Sequence, residues 1–241
     1  MSARGFLDAF RRVVTRNGQQ EEWPSVVAHE LRQPLGTILL ALGPIAGDDD
    51  PHVQAAVRRI RSSVFKLTRM VEDLVDEAAI SAGRLTIVRE GVDLRLVVAK
   101  AVADAEHFAK GHVIDLVQPS TPALIDADSC RIEQVATNLL TNAVKYGESG
   151  APIRVGVDVR PAAGMVVTSI TNRGEGLTAT EVRRVFDKCY RTERVRTGRH
   201  SGLGLGLYVA RTVIEGHGGR VGVTTEPGET TFWFSLPLLA A

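Results

Sequence analysis

Two asparagines lie one helical turn apart in the segment R-I-E-Q-V-A-T-N-L-L-T-N-A-V-K-Y, residues 131–146. Asn138 and Asn142 are four residues apart, so both amides project from the same face of the predicted helix. Neutral amide oxygens beside Lys145 suit a hydrated Mg²⁺ ion shared with phosphate groups, because this ion keeps several waters and takes few protein ligands. The same spacing is compatible with two asparagines on a solvated helix surface.

Glycine-rich turns occur twice in the second half of the chain. T-N-R-G-E-G-L, residues 171–177, follows an apolar run, and Gly174 and Gly176 let the backbone turn sharply or approach a ligand closely. S-G-L-G-L-G-L, residues 201–207, precedes a predicted helix, where free backbone N–H groups can bind phosphate. Neither segment fits G-x-x-x-x-G-K-[ST] or a strand followed by G-x-G-x-x-G, so the sequence supports neither a P-loop nor a Rossmann site.

A histidine in the first part of the chain has the neighbours that nucleophilic chemistry needs. In A-H-E-L-R-Q-P-L, residues 28–35, His29 lies beside the apolar stripe of its helix and is predicted to be partly in water. Glu30 can accept a ring proton and make the other ring nitrogen more nucleophilic. Pro34 removes a helix hydrogen bond and costs about 3 kcal/mol in a helix interior, which favours a locally mobile site. Without these neighbours, His29 would be interpreted as a surface histidine.

Two amphipathic helices must position this histidine. The first stripe comprises Leu31, Leu35, Ile38, Leu42 and Ile45, and the second comprises Val53, Val57, Ile60, Val64, Leu67, Val71, Leu74 and Ala78. The second stripe repeats every ~3.5 residues, which is typical of a helical bundle. The turn G-D-D-D-P, residues 47–51, joins the helices, and its proline restarts a helix. Because one hairpin cannot cover both stripes, the sequence predicts a homodimer with a four-helix bundle.

The rest of the chain alternates strand and helix patterns, which predicts an α/β two-layer sandwich. The predicted strands are L-T-I-V, H-V-I-D-L-V, A-L-I-D, I-R-V-G-V-D-V, M-V-V-T-S-I, R-V-G-V-T-T and T-F-W-F-S-L. The predicted helices cover about residues 92–109, 128–146, 179–186 and 204–217. The predicted fold class is therefore α+β, with a helical hairpin that dimerises into a bundle and then the sandwich.

Three regions follow from these patterns. Residues 1–22 form a short amphipathic lead-in, residues 23–83 the dimerising hairpin, and residues 84–241 the sandwich domain. The lead-in has a basic face, and it is interpreted either as a solvated or dimer-packed helix or as a weak membrane-surface anchor.

Composition excludes several classes of protein. The net charge is +1, so no overall field indicates nucleic-acid or membrane binding. No apolar run is long enough for a transmembrane segment, and no signal peptide is evident. Cys130 and Cys189 belong to no C-x-x-C pair and are interpreted as reduced packing residues. We therefore expect a cytoplasmic location, with a membrane partner as an added option.

The order of the motifs over residues 24–241 resembles that of the sensor histidine kinases of two-component systems. H-E-L-R-Q-P-L resembles the H box of that family, N-L-L-T-N-A-V-K-Y its N box, and N-R-G-E-G its first glycine box. V-F-D-K-C-Y-R, residues 185–191, resembles the F box, and G-L-G-L-G-L the second glycine box. This resemblance implies a HisKA-type dimerisation domain followed by an ATP-binding domain of the GHKL class.

The resemblance implies roles for the catalytic and metal-binding residues. His29 would be the phosphoacceptor, and Glu30 its acid/base partner. Asn142 would be the main Mg²⁺ ligand, with Asn138 assisting. The activity would be ATP-dependent autophosphorylation of His29, followed by transfer to an aspartate of a response regulator, which this chain has no room to contain.

The resemblance also implies which residues hold ATP. Lys145 would contact phosphate, and Tyr146 would pack near the nucleotide. Gly174 and Gly176 would let the backbone approach the adenine. The glycines that would close over the phosphates are Gly202, Gly204 and Gly206. Residues 188–201 would form the ATP lid, anchored by Phe186, with cationic side chains at Arg191, Arg194, Arg196 and Arg199.

Two residues depart from the family pattern. Asn172 stands where the first glycine box normally has aspartate, which accepts a hydrogen bond from the adenine amino group. A neutral acceptor is worth about 1 kcal/mol less than a charged one, so we predict weaker but surviving ATP binding. Gln33 stands where the family usually has threonine or asparagine, at a position associated with dephosphorylation of the regulator. A long glutamine there can still orient a water molecule.

Two other functions are compatible with part of this pattern. In a non-catalytic phosphotransfer or scaffold protein, His29 would serve a regulator while the nucleotide-binding layer is degenerate, and Asn172 favours this alternative. A serine kinase of the anti-sigma type would share the nucleotide-binding layer, but residues 24–83 argue against it. The input would come from a separate sensor protein, or the chain is a fragment of a longer kinase.

Overall fold

The computed structural model describes residues 35–43, 45, 47, 50–106, 108–109, 111–192 and 203–239. The chain divides into two compact units, Met1–Leu85 and Thr86–Ala241. Among the helices that the model describes, none has both the length and the apolar character needed to cross a membrane.

The described part of the first unit is helical. Residues 35–41 are helical, and helix α1 covers Pro51–Ser81. The Asp50 carboxylate accepts a hydrogen bond from the His52 backbone N–H at 2.7 Å, and proline occupies the first helical turn. Such a cap satisfies an N–H group that has no partner inside the helix. The predicted restart of the helix at Pro51 is confirmed.

The apolar stripe of α1 is only partly covered. Val57, Val64 and Val71 are buried, and they follow one another at intervals of seven residues. Ile60 and Leu67 belong to the same stripe, yet 40% and 51% of their surfaces are exposed. Alternate members of the stripe therefore remain uncovered in a single copy of the chain.

A charged cluster lies near the end of α1. Asp73 is half-buried beside Arg69 and near Glu72 and Asp76, and Asp76 is buried. Burial raises the pKa of Asp73 to about 6, the nearby Arg69 opposes this shift, and the carboxylates of Asp76 and Glu72 add to it. Burial also lowers the pKa of Arg69. The cluster is thus a poorly hydrated group of charges on α1.

This cluster predicts that α1 is more stable in mild acid. The folded-state pKa of Asp73 lies above the unfolded value, so its contribution to stability is fully present below the unfolded pKa and is lost as pH rises through about 6. We expect α1 to lose roughly 1 kcal/mol between pH 5 and pH 7.5. Amide hydrogen exchange of α1 in the parent and in Asp73→Asn checks this, because the variant should show a flatter profile. An equal pH dependence in both proteins would contradict it.

The second unit is built on a mixed sheet. Its strands are β1 (Glu90–Asp93), β2 (Ile114–Val117), β3 (Leu124–Ala127), β4 (Ile153–Arg160), β5 (Met165–Arg173), β6 (Arg220–Glu226) and β7 (Glu229–Pro237). Five of them form one sheet in the order β2-β4-β5-β7-β6, in which only the β2–β4 pair is parallel. β1 and β3 form a separate antiparallel pair.

Helices cover one face of this sheet. They are α2 (Leu94–Glu106), α3 (Ser129–Tyr146) and α5 (Gly206–Gly216), and the short α4 (Ala179–Arg184) lies between β5 and α5 in the chain. α3 packs between α2 and α5 and also contacts β5. The core between the layers includes Leu139, Ile170 and Phe234, all of them fully buried. The predicted α+β class, a helical region followed by a two-layer α/β unit, is confirmed.

One predicted strand is wrong. L-T-I-V, residues 85–88, is not a strand, and the first strand instead covers Glu90–Asp93. The 85–88 segment pairs with no strand; its Val88 N–H donates to the Asp128 carboxylate at 3.0 Å, and Ile87 lies close to Gly216. Only Ile87 of this segment is seen to lie against a helix end, whereas 70% of the surface of Val88 is exposed, so the apolar composition here does not reflect strand pairing.

A buried histidine connects the two helices that carry the glycine and asparagine motifs. His217 follows α5, and its Nδ1 lies 2.7 Å from the Val213 carbonyl oxygen. Its Nε2 accepts a hydrogen bond from the Asp128 N–H, just before α3, at 3.0 Å. Because one nitrogen must donate and the other must accept, the imidazole is neutral and protonated at Nδ1. This link holds the start of α3 against the end of α5.

Candidate nucleotide-binding site

The two asparagines of α3 have different environments. Asn138 is buried, and its Nδ2 donates a hydrogen bond to the Gly206 carbonyl oxygen at 3.1 Å. Its Oδ1 is buried and has no hydrogen-bond partner among the described residues. Asn142 lies one turn further along the helix, is half-buried, and forms no hydrogen bond through its side chain to the described residues. Two amide oxygens on one helix face are therefore uncommitted.

This donor set fits a Mg²⁺ ion. A buried amide oxygen without a partner is costly, and such an atom in a native protein calls for an additional ligand, ion or water. Hard amide oxygens match the preference of Mg²⁺, which retains waters and needs few protein ligands. Asn142 is the more accessible of the two amides, whereas Asn138 is held against the start of α5.

The end of α3 meets the first glycine turn. A Cβ atom at position 174 would lie 2.7 Å from the Tyr146 carbonyl oxygen and 3.4 Å from Asn172 Nδ2. Only glycine permits this approach, because the contact with the carbonyl is closer than Cβ atoms tolerate. The Glu148 N–H also donates to the Arg173 carbonyl at 2.8 Å. The asparagine helix and the glycine turn are thus joined at this point.

Asn172 has a defined amide orientation. It is buried on β5, and its Nδ2 donates to the Arg173 carbonyl oxygen at 3.1 Å. A carbonyl can only accept, so the nitrogen of the amide must face it and the oxygen must point elsewhere. Oδ1 is therefore the atom of Asn172 that can accept a hydrogen bond from a ligand. The amide nitrogen carries two hydrogens, so Nδ2 keeps a second N–H that is able to donate to a ligand while the bond to Arg173 remains.

The base of the predicted lid lies against the second glycine turn. A Cβ atom at position 204, where φ is +73°, would meet the Tyr190 carbonyl oxygen at 2.6 Å and Arg191 Cγ at 3.2 Å. Burial raises the pKa of the Tyr146 hydroxyl, and the positive charge of Arg191 opposes that shift. Arg191 is therefore near both the end of α3 and the turn before α5.

Aromatic contacts fix the segment that leads into the lid. The Phe186 ring packs edge-on against Phe232 of β7, with the ring centroids 6.1 Å apart. The Lys188 ammonium lies 5.9 Å from the centroid of the Tyr208 ring of α5. At the end of α3, the Lys145 ammonium lies 4.9 Å from the centroid of the Tyr146 ring. Phe186 is thus attached to the sheet, as the sequence indicated for an anchor residue.

Several predicted site residues lie outside the described residues. They are His29, Glu30, Gln33, Arg194, Arg196, Arg199 and Gly202. Among the described members of the predicted set, contacts connect Asn138 to Gly206, Arg191 to Gly204, and Gly174 to both Tyr146 and Asn172.

Two family models match the chain. The His Kinase A (phospho-acceptor) domain matches residues 19–83. The Histidine kinase-, DNA gyrase B-, and HSP90-like ATPase domain matches residues 127–240. These two domains, in this order, are the pair that the motif order predicted. The chain belongs to the sensor histidine kinases.

Individual sensor histidine kinases match over most of the chain. The probable sensor histidine kinase TcrY of Mycobacterium tuberculosis is 34% identical over 88% of this chain and 44% of its own length. The sensor histidine kinase MtrB of Mycobacterium bovis is 32% identical over 91% of this chain and 39% of its own length. The crystal structure of full-length ShkA in complex with AMPPNP covers 91% of this chain and 46% of its own, with 26% identity and a TM-score of 0.66. The chain therefore spans less than half the length of these relatives.

Sequence reasoning missed one buried polar residue next to Asn172 in the candidate site. Thr230 of β7 is the register partner of Asn172 and is buried on the same face of the sheet. The alternation in T-T-F-W-F-S-L indicates which residues share a face, but it cannot indicate which residue of β5 stands opposite. That pairing follows from the strand order, in which β7 lies between β5 and β6.

Proposed function

We propose that this chain is the catalytic part of an ATP-dependent protein histidine kinase. It would transfer the γ-phosphoryl group of ATP to His29 and then pass it to an aspartate of a separate response regulator. The observation that carries this proposal is the hydrogen bond between Asn138 and Gly206, which joins the asparagine helix to the second glycine turn. Metal ligands and phosphate-binding backbone then lie on adjacent elements.

The first chemical step is phosphoryl transfer to nitrogen. An imidazole nitrogen of His29 attacks the γ-phosphorus, a P–N bond forms, and the bond to the bridging oxygen breaks to release ADP. Glu30 takes up the proton that the imidazole ring loses. A bound Mg²⁺ ion would neutralise charge on the phosphate oxygens during this step. Asn142 would hold that ion, with Asn138 assisting through Oδ1.

The nucleotide would lie along the face that α3, β5 and α5 share. Asn172 Oδ1 would accept a hydrogen bond from the adenine amino group, since the bond from Nδ2 to the Arg173 carbonyl turns Oδ1 away from that carbonyl. Gly174 and Gly176 would allow the backbone to approach the base, and Tyr146 would pack beside it. At the other end, Lys145 and Arg191 would contact phosphates together with the backbone of Gly202, Gly204 and Gly206.

A homodimer is the form in which this chemistry would occur. The exposed stripe residues Ile60 and Leu67 alternate with buried valines along α1, and a second hairpin would cover them. A response regulator and a sensor partner complete the proposed assembly.

The test of the proposed function is the chemistry of the label. Incubation with γ-labelled ATP and Mg²⁺ should give protein-bound phosphate that is labile in acid and stable in base. Acid-stable label would indicate a serine kinase instead. Bound ATP without any label would favour the scaffold function, which the neutral Asn172 supports as the second candidate.

Restoring the family's acid at position 172 should tighten ATP binding modestly. A charged acceptor is worth about 1 kcal/mol more than a neutral one, which is roughly fivefold in affinity. Asn172→Asp also loses the bond that Nδ2 donates to Arg173, so we expect a two- to fivefold lower Kd and a lower Tm without nucleotide. Calorimetric titration with ATP measures the first effect. Asn172→Ala is the control and should bind more weakly than the parent; an Asp variant no tighter than the parent would contradict the prediction.

A further inference from the structure

The hairpin of β6 and β7 ends beside the first glycine turn. Thr225 of β6 pairs with Thr230 of β7, and Thr230 pairs with Asn172 of β5. Side chains of register partners project from the same face of a sheet, so these three form a row on the face that the helices cover. Thr225 is the member of the row nearest the sheet edge, and it is half-buried.

Two hydrogen bonds hold the glycine turn to this hairpin. At the start of the turn, directly after β5, the Gly174 N–H donates to the Gly228 carbonyl oxygen at 3.1 Å. The Leu177 N–H donates to Thr225 Oγ1 at 3.3 Å, where the turn ends. The Thr225 hydroxyl in turn donates to the Glu229 carbonyl oxygen at 3.3 Å. Only the second attachment depends on a side chain.

The same hydroxyl limits what can stand at position 176. Gly176 has φ of +75°, and a Cβ atom there would lie 2.9 Å from Thr225 Oγ1. The residue after Leu177 is Thr178, whose own N–H is bonded by the Glu181 carboxylate at 2.7 Å as part of the cap of α4. The path from Gly176 to α4 is therefore defined by two side chains, those of Thr225 and Glu181.

We infer that Thr225 is a positioning residue for nucleotide binding, which acts by holding the backbone of Gly176 and Leu177 in the form that accepts the adenine. This inference rests on the proposed function, because it assigns the glycine turn to the base. Without the hydroxyl, the Leu177 N–H and the Glu229 carbonyl lose their partner, and the turn gains conformational freedom that ATP binding must then remove.

Three variants separate the hydroxyl from the bulk of the side chain. Thr225→Val removes the hydroxyl and keeps the branched shape, whereas Thr225→Ser keeps the hydroxyl. Thr224→Val is the matched control, because Thr224 is exposed on the opposite face of the same strand. The first measurement is amide hydrogen exchange of Leu177 in the nucleotide-free full chain, which is independent of any kinase activity. The second is calorimetric titration with ATP and with GTP.

The expected results differ among the variants. In Thr225→Val, amide hydrogen exchange at Leu177 should accelerate at least about tenfold. The Kd for ATP should rise about fivefold, and the ratio of the GTP Kd to the ATP Kd should become smaller than in the parent. Thr225→Ser and Thr224→Val should stay within about twofold of the parent in both measurements.

Three outcomes would overturn the inference. If the parent binds ATP and Thr225→Val binds it with the same affinity, Thr225 does not position the nucleotide site, and the proposed function stays intact. Equal losses in Thr225→Val and Thr225→Ser would assign the effect to packing instead of the hydroxyl. If the parent binds no ATP, both the proposed function and this inference are wrong. The exchange rates of the Leu177 amide then report only on its hydrogen bond to Thr225 Oγ1.

Discussion

We expect Asn142→Ala to lose nearly all phosphoryl transfer while keeping its fold. Asn142 is half-buried and its side chain makes no hydrogen bond to the described residues, so removing its amide leaves no internal group without a partner. Loss of a ligand that positions Mg²⁺ on the phosphates should cost about 3 kcal/mol in the transition state, which is about 100-fold in rate. The initial rate of labelling from γ-labelled ATP at saturating Mg²⁺ measures this effect.

Asn138→Ala is the matched control for that prediction. The two residues are one turn apart on α3, but Asn138 is buried and donates to the Gly206 carbonyl. Its replacement removes this buried hydrogen bond, which should cost about 1 kcal/mol and lower the Tm of the second unit. Asn142→Ala should leave Tm within about 1 °C of the parent. A large stability loss in Asn142→Ala, or transfer at the parent's rate, would contradict the assignment of Asn142 to the metal.

His29→Ala is expected to abolish acid-labile label completely. The imidazole nitrogen is the only proposed acceptor, and alanine has no atom that can form the P–N bond. ATP binding should be unaffected, because every proposed nucleotide contact lies in the second unit, beyond residue 137. Parallel measurement of labelling and of ATP titration checks both parts of the prediction.

The control for this variant is His52→Ala. His52 is an exposed histidine of the same unit, and only its backbone N–H takes part in the cap of α1. Label that persists in His29→Ala but disappears in His52→Ala would reassign the acceptor. Label that disappears in both would point to damage to the dimer, and the oligomeric state measured by light scattering would identify that cause.

The helices of the second unit were predictable because their apolar periodicity is long. α3 was expected at residues 128–146 and covers Ser129–Tyr146. The first strand was not predictable. E-G-V-D is four residues long with little alternation, whereas L-T-I-V has strand composition but only its Ile87 is seen to lie against a helix end. A segment of four residues is too short for its hydrophobic periodicity to distinguish a strand that pairs in a sheet from a loop that buries an apolar side chain.

The glycine motifs were recognisable in sequence, but their contacts were not. Gly174 was expected to approach a ligand; the structure brings its backbone against the Tyr146 carbonyl as well. Asn138 was expected to assist a metal, and its nitrogen is committed to Gly206, so only Oδ1 is left for that role. These contacts depend on which helices and strands lie next to each other. The spacing of residues along a single helix or strand does not predict that arrangement.

Residue types and their order along the chain were enough to identify the family and the fold class, because local periodicity and motif spacing are encoded within short segments. Only the tertiary structure decided which way the Asn172 amide faces and which side chain holds the Leu177 N–H. Both depend on hydrogen bonds whose partners are set by strand order and register, so the donor and acceptor meet only after β5, β7 and β6 have paired. The chemistry expected at the adenine end of the site is therefore a property of the sheet as much as of the glycine motif.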